Sequence, residues 1–213
     1  MICVALQENN VKRCLQIIEK VEMAEIRIDM AKLSIDDVKQ IFRASTKPLI
    51  ATCRPEFCSD EVRMELLKTA IKAGAAFVDV EIESSEAFKQ EMCEFTKAYN
   101  CKLIISYHNY DCTPDNETLQ SLIKSSFKSG ADIAKIAVMV QSVQDNARLL
   151  SLYDTEKAVV ALGMGQLGKI TRIVAPLFGS PFTFAALDDA SATAPGQITY
   201  EKLKTIQNQI SLL

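Results

Sequence analysis

The chain has 213 residues, with 24 Lys and Arg against 27 Asp and Glu, a formal net charge of −3 and 48% hydrophobic residues. That is the mix of an ordinary globular protein long enough to bury a sizeable core, and it exerts no long-range pull on nucleic acid or on an anionic membrane. No apolar run approaches the ~20 residues that span a bilayer, and MICVALQENN lacks the basic region and long apolar stretch of an export signal, so a cytoplasmic protein is expected.

Short apolar runs alternate with amphipathic ones along the whole chain. The runs read as strands over 2–6, 24–28, 48–54, 77–82, 102–108, 133–139, 158–163 and 181–187. Between them lie helical patterns over 35–45, 60–74 and 116–130, the last two ending in Gly74 and Gly130, with a closing helix over 198–213. No Gly- or Pro-rich linker interrupts the series. Eight strand–helix units predict a single-domain α/β fold over residues 1–213, a compact (β/α)8 TIM barrel, with the open doubly wound sheet as its rival.

Alternate residues of a strand point to opposite sides, which separates the two folds. Ile26 and Ile28, Ala51 and Cys53, Val78 and Val80, Leu103 and Ile105, and Ala134, Ile136 and Val138 give each central strand an apolar side. The other side carries Glu25, Arg27 and Asp29, then Thr52 and Arg54, Asp79 and Glu81, Ser106 and His108, and Lys135. Phe182, Phe184 and Ala186 share one side of the last strand. An open sheet would bury the charged side under helices. A barrel gathers it around one axis, where opposite charges pair, and places chemistry at the C-terminal ends of the strands. A salt-bridge network without catalysis is the plain alternative to an active site.

Lys135 sits mid-strand in ADIAKIAVMV. Pointing inward among Ile133, Ala137 and Met139, with arginines nearby, it is expected to be a partly neutral amine able to condense with a ketone or aldehyde. His108, at the end of the preceding strand, has an ordinary midpoint near ~6.5 and suits proton transfer in both directions. Together they fit elimination, isomerisation or aldol chemistry beside a carbonyl. GMGQLG (163–168) matches the dinucleotide fingerprint formally, but six strand–helix units precede it; it reads as a tight turn beside an anion pocket. Arg172 and Gln197 are placed to hold a carboxylate there. Seven cysteines are expected as thiols, and the loosely spaced Cys53 and Cys58 with a single histidine give no zinc-binding pattern, so no metal is expected.

Taken in order, EIRID (25–29), TCR (52–54), DVEI (79–82), SYHNYDCTP (106–114), DIAKIAVM (132–139), MGQLGKITR (164–172), FGSPFTF (178–184) and APGQ (194–197) make the chain resemble the type I 3-dehydroquinate dehydratases. The resemblance implies conversion of 3-dehydroquinate to 3-dehydroshikimate in the shikimate route to aromatic amino acids. Lys135 would form the imine, and His108 would act as base and then acid in a syn elimination. Glu25, Arg27 and Arg54 would bind the hydroxyl side of the substrate, Arg172 and Gln197 its carboxylate, and Met164 and Phe184 would line the pocket. It also implies no dissociable cofactor and a homodimer. Two segments depart from the family. RPEFCSDE (54–61) replaces a Glu-Gly-Gly turn, leaving Glu56, Asp60 or Glu61 as a substitute carboxylate near His108, or none. LDDASATAPGQ (187–197) is enlarged, so the family's hydroxyl residue corresponds to Ser191 or to Thr193, the latter favoured by the shorter count from Gln197. A Schiff-base aldolase and a non-catalytic carboxylate-binding barrel are the competing readings.

Overall fold

The computed structural model describes residues 1–210. The apolar runs form β1 (Ile2–Leu6), β2 (Met23–Arg27), β3 (Leu49–Thr52), β4 (Phe77–Glu81), β5 (Lys102–Asn109), β6 (Ile133–Met139), β7 (Val159–Met164) and β8 (Thr183–Ala186). Between and after them run α1 (Val11–Ile18), the one-turn α2 (Ile28–Ala31), α3 (Ile35–Ala44), α4 (Asp60–Lys72), α5 (Glu86–Ala98), α6 (Asn116–Lys128), α7 (Val143–Ser151), α8 (Gly165–Val174) and α9 (Tyr200–Ile210). A 3₁₀ turn, Ala175–Phe178, prolongs α8. The end of the closing helix expected over 198–213 lies outside the described residues.

Local chemistry fixes where the helices begin and end. Ser34 with Asp37 and Ser142 with Asp145 form capping boxes at α3 and α7, and Asp115 caps α6. Gly74 and Gly130 follow α4 and α6 with φ of 110° and 91°. The second strand stops at Arg27, one residue short of the predicted 24–28. The chain turns there into α2, and Asp29 folds back onto Arg27.

All pairings are parallel, in the order β7-β6-β5-β4-β3-β2-β1-β8. This is the (β/α)8 barrel, nearly closed. Among the described residues no ladder joins β7 to β8; Ser180 Oγ bridges that seam instead, donating to the carbonyls of Phe182 (2.8 Å) and Val159 (3.4 Å).

The strand sides assigned from alternation are the ones observed. Ala24, Ile26, Ala51, Val78, Val80, Leu103 and Ile105 pack under the helices, with Ala134, Ile136 and Val138 in a second cluster beside them. The inner residues form layers, alternate strands supplying each one. Met23, Phe77, Ile133 and Phe182 fill the bottom, Phe77 and Phe182 meeting edge-to-face at 5.6 Å. Cys3, Ile50, Ile104 and Val160 lie above them. The register sets the next layer: Ile50 pairs with Glu25, Ile104 with Asp79, Val160 with Lys135 and Cys3 with Phe184. The apolar plug therefore gives way to three charged side chains and one aromatic ring just below the C-terminal mouth.

Candidate active site

Lys135 projects from β6 toward the barrel axis. Its Nζ lies 2.9 Å from Asp79 Oδ2, 3.6 Å from Glu25 Oε1 and 4.2 Å above the Phe184 ring. The sequence sets it among Ile133, Ala137 and Met139 with arginines nearby; the structure adds two carboxylates at the amine. The residues that matter most come from β2 and β4, across the axis, where alternation within one strand gives no view. Hydroxyls from the intervening strands brace both carboxylates: Thr52 donates to Glu25 Oε1 (2.8 Å) and Ser106 to Asp79 Oδ1 (2.6 Å).

Arg54, just past β3, lies 3.3 Å from Asp79 Oδ1, donates to Ser106 Oγ at 3.0 Å and pairs with Glu81. The other Glu81 oxygen takes Arg63 Nη2 at 2.6 Å. Arg63, one turn into α4, also binds Asp60 (2.7 Å) and the Cys53 carbonyl (2.9 Å), with Phe88 below its guanidinium. Lys135, Arg54 and Arg63 thus balance Glu25, Asp79 and Glu81 in one buried network. Burial alone would raise the Asp79 pKa, but the charges of Arg54, Lys135 and His108 outweigh it and hold the carboxyl below the usual range. Burial raises that of Glu81, with Arg54 and Arg63 opposing.

Above the network opens a cavity of about 690 Å³. Glu25, Arg27, Arg54, His108, Lys135, Met164, Arg172, Phe184, Thr193 and Gln197 all line it. Arg27 is held by Asp29 through bonds of 2.6 and 3.1 Å. Thr193 and Gln197 bond each other, the Thr193 amide to Gln197 Oε1 at 2.8 Å and Gln197 Nε2 to Thr193 Oγ1 at 3.1 Å. Ser191 is the exception. Its hydroxyl closes a turn on Asp188 and does not line the cavity.

His108 stacks on Tyr110, ring centroids 6.5 Å apart, and no side-chain hydrogen bond reaches it among the described residues. Of the carboxylates considered for it, Asp60 serves Arg63 and Glu56 lies in the cavity wall; none bonds to it among the described residues. The expected ordinary midpoint is also corrected. Burial, then the charges of Arg54 and Lys135, push the His108 pKa well down, with Asp79 opposing.

Arg172, in α8, is 2% exposed and has no acidic partner among the described residues. Its Nη1 reaches only the Phe184 carbonyl at 3.4 Å, and its Nε is buried without a partner. Burial lowers its pKa to about 10. Among the described residues it is the one arginine or lysine of the site without an acidic partner, and it lines the cavity. The neighbouring glycines serve backbone contact rather than a nucleotide. A Cβ on Gly168 would stand 2.5 Å from the Gly163 carbonyl carbon, and the Gly165 amide binds the Pro195 carbonyl at 3.1 Å. Among the described residues, no group of three or more His, Cys, Asp or Glu is arranged to hold a metal ion.

Two contributors are missing from the sequence-based site. Asp79 was placed on the inner face without a role. Arg63 shows in the sequence only as a basic residue three after Asp60, a spacing equally typical of an exposed helix pair.

Fold and site together define a barrel enzyme with a lysine, a histidine and an uncompensated guanidinium around one cavity. The family model for type I 3-dehydroquinase matches residues 2–213. A 3-dehydroquinate dehydratase of Methanococcus maripaludis is 35% identical over 218 aligned positions, covering 97% of this chain and 98% of the relative. The crystal structure of the Geobacillus kaustophilus 3-dehydroquinate dehydratase superimposes with a TM-score of 0.88 at 25% identity, covering 99% of this chain and 91% of that one. That of the Clostridium difficile type I enzyme with covalently modified comenic acid gives 0.86 at 27% identity, over 98% and 91%. The chain therefore belongs to the type I 3-dehydroquinase family, dehydratases of the shikimate pathway, which decides against the aldolase and the non-catalytic barrel.

The His108 shift carries a sign. Unfolded, the imidazole titrates near ~6.5. Folding lowers that midpoint, so the unfolded chain binds more protons below it, and stability falls as pH drops through ~6.5 before levelling off below the folded midpoint. Because the chain has one histidine, a single imidazole NMR resonance reports the effect. Its midpoint in the folded protein is expected below ~6.5; a midpoint at or above that value contradicts the electrostatics described.

Proposed function

We propose that Lys135 condenses with the ketone of 3-dehydroquinate to give an iminium and water. His108 then removes a proton from the adjacent carbon, leaving a neutral enamine. The enamine expels the ring hydroxyl, which takes that same proton from His108 and leaves as water. Hydrolysis of the conjugated iminium frees 3-dehydroshikimate and the lysine. One base on one face implies syn elimination. The iminium supplies the electron sink, so the chemistry calls for no metal or dissociable cofactor.

The observation that carries this reading is a shared cavity wall: an amine and, among the described residues, an imidazole without side-chain hydrogen-bond partners and a buried guanidinium without an anion. An imidazole held neutral by burial and nearby cations is ready to accept a proton. An isolated buried cation is costly, and a substrate carboxylate would relieve that cost. On this reading Arg172 and Gln197 hold the carboxylate, Glu25, Arg27 and Arg54 take the hydroxyls, and Met164 and Phe184 pack the ring. Thr193 is the hydroxyl residue favoured over Ser191, on the strength of its bonds to Gln197. The covalently modified comenic acid in the Clostridium difficile relative supports covalent chemistry in such a site.

We also read the enzyme as a cytoplasmic homodimer. Seven unbridged cysteines support a reducing compartment. The family resemblance and an exposed apolar row, Leu167, Ile170, Leu177 and Phe178, support self-association. Sedimentation equilibrium is expected to give twice the 23.6 kDa chain mass, and a monomer at all concentrations would reject the dimer.

Borohydride added during turnover of 3-dehydroquinate is expected to trap an adduct that peptide mass mapping places on Lys135. Labelling elsewhere, or none, refutes the imine. Arg172→Gln is expected to raise KM about 10- to 100-fold, the worth of a charged hydrogen-bond pair. An unchanged KM would remove Arg172 from the carboxylate site.

A further inference from the structure

We infer that Asp79 is the fixed counter-ion of the iminium, a catalytic carboxylate that touches the reacting nitrogen and keeps the imine protonated through the reaction. The inference rests on the Lys135 imine proposed above and adds a role for a residue that does not line the cavity.

Position supports it first. Asp79 is fully buried in the layer beneath the mouth, and it reaches Lys135 Nζ at 2.9 Å. Its other oxygen is occupied by Ser106 Oγ at 2.6 Å and approached by Arg54 at 3.3 Å. With no face toward the cavity it has no route to a substrate hydroxyl. Glu25 differs: it stands farther off, at 3.6 Å from Nζ, and lines the cavity itself.

Chemistry supplies the reason for such a group. A ketone and an ammonium give an iminium and water, so one positive charge stays at Nζ. Removing the adjacent proton neutralises the nitrogen and charges His108; expulsion of the hydroxyl with that proton restores the cation as a conjugated iminium. A deprotonated imine is a far weaker electron sink, because loss of the adjacent proton would leave an anion in place of the neutral enamine. Arg54 and Arg27 disfavour a further positive charge nearby, and His108 joins them while it carries the proton. Asp79 is the anion that offsets them at the nitrogen, where Glu25 at 3.6 Å, the Phe184 ring at 4.2 Å and the Cys3 thiol are the other groups nearby, with Ser106 on the far oxygen of Asp79.

The test is the pH dependence of borohydride trapping with 3-dehydroquinate, in wild type, Asp79→Asn and Asp79→Glu. Wild type is expected to trap on Lys135 with an alkaline limb where the iminium loses its proton. Asp79→Asn is expected to move that limb down by at least about one pH unit, the size of the attraction between unit charges at this spacing even in bulk water. Asp79→Glu keeps the charge and is expected to leave the limb nearer its wild-type position. A structural role alone would lower the amplitude without moving the limb. Should Asp79→Asn fail to fold, Ser106→Ala, which loosens the carboxylate while sparing its charge, is expected to shift the limb by a smaller amount. An unmoved limb in the folded variants, with wild type still trapping on Lys135, overturns the assignment to Asp79. Absence of a wild-type adduct on Lys135 instead overturns the imine, and the counter-ion with it.

Discussion

The Lys135–Asp79 ion pair reaches from β6 to β4 over the strand between them, and much of the molecule is arranged to sustain it. Taking an ammonium or a carboxylate out of water costs several kcal/mol per ion unless partners and hydrogen bonds replace the lost solvent. Here the replacement is complete. Ser106 from β5 holds one Asp79 oxygen, Thr52 from β3 holds Glu25, and Arg54 joins Asp79 to Glu81. Arg63 ends the chain of charges by tying Glu81 to the start of α4 and to the backbone at Cys53. The hydroxyls come from odd-numbered strands and the carboxylates from even ones. The staggered layers of a barrel produce that division directly.

Against this neutralised network Arg172 stands out. Every other cation of the site has an anion, while Arg172 rests on one carbonyl and leaves a nitrogen bare. The site is thus divided in two. One half, around Lys135, is electrostatically complete within the protein. The other half, at Arg172, is not, and under the proposed function it is the substrate carboxylate that completes it. On that reading preorganisation and recognition fall to different residues.

Much of this was legible in the sequence because barrel strands obey a period of two. Alternation in AEIRI, FVDVEI and KLIISYH identified which residues face the axis, and charges on that side argued for closure. The ring of contacts was harder. Lys135 has only apolar neighbours in its own strand, so its carboxylates became visible only when β2 and β4 were brought round the axis. Arg63 was missed for a related reason: its Asp60 spacing looks like a surface pair, whereas the side chain turns inward beneath Glu81. Ser191 and Thr193 lie in a loop without periodicity, where counting residues gives no direction for a hydroxyl. The histidine lines the cavity from the strand side that alternation assigns it, but its lowered basicity depends on burial and on Arg54 and Lys135, which are remote in sequence.

The seam between β7 and β8 has a consequence for ligand occupancy. Seven joints of the barrel are closed by backbone ladders, but this one depends on Ser180 and on packing. Arg172 belongs to the helix that follows β7, yet its guanidinium leans on a carbonyl of β8. If Arg172 holds the substrate carboxylate as proposed, the anion acts as a clasp over the loosest stave. Binding and barrel closure would then be thermodynamically linked, and the filled enzyme would resist unfolding more than the empty one.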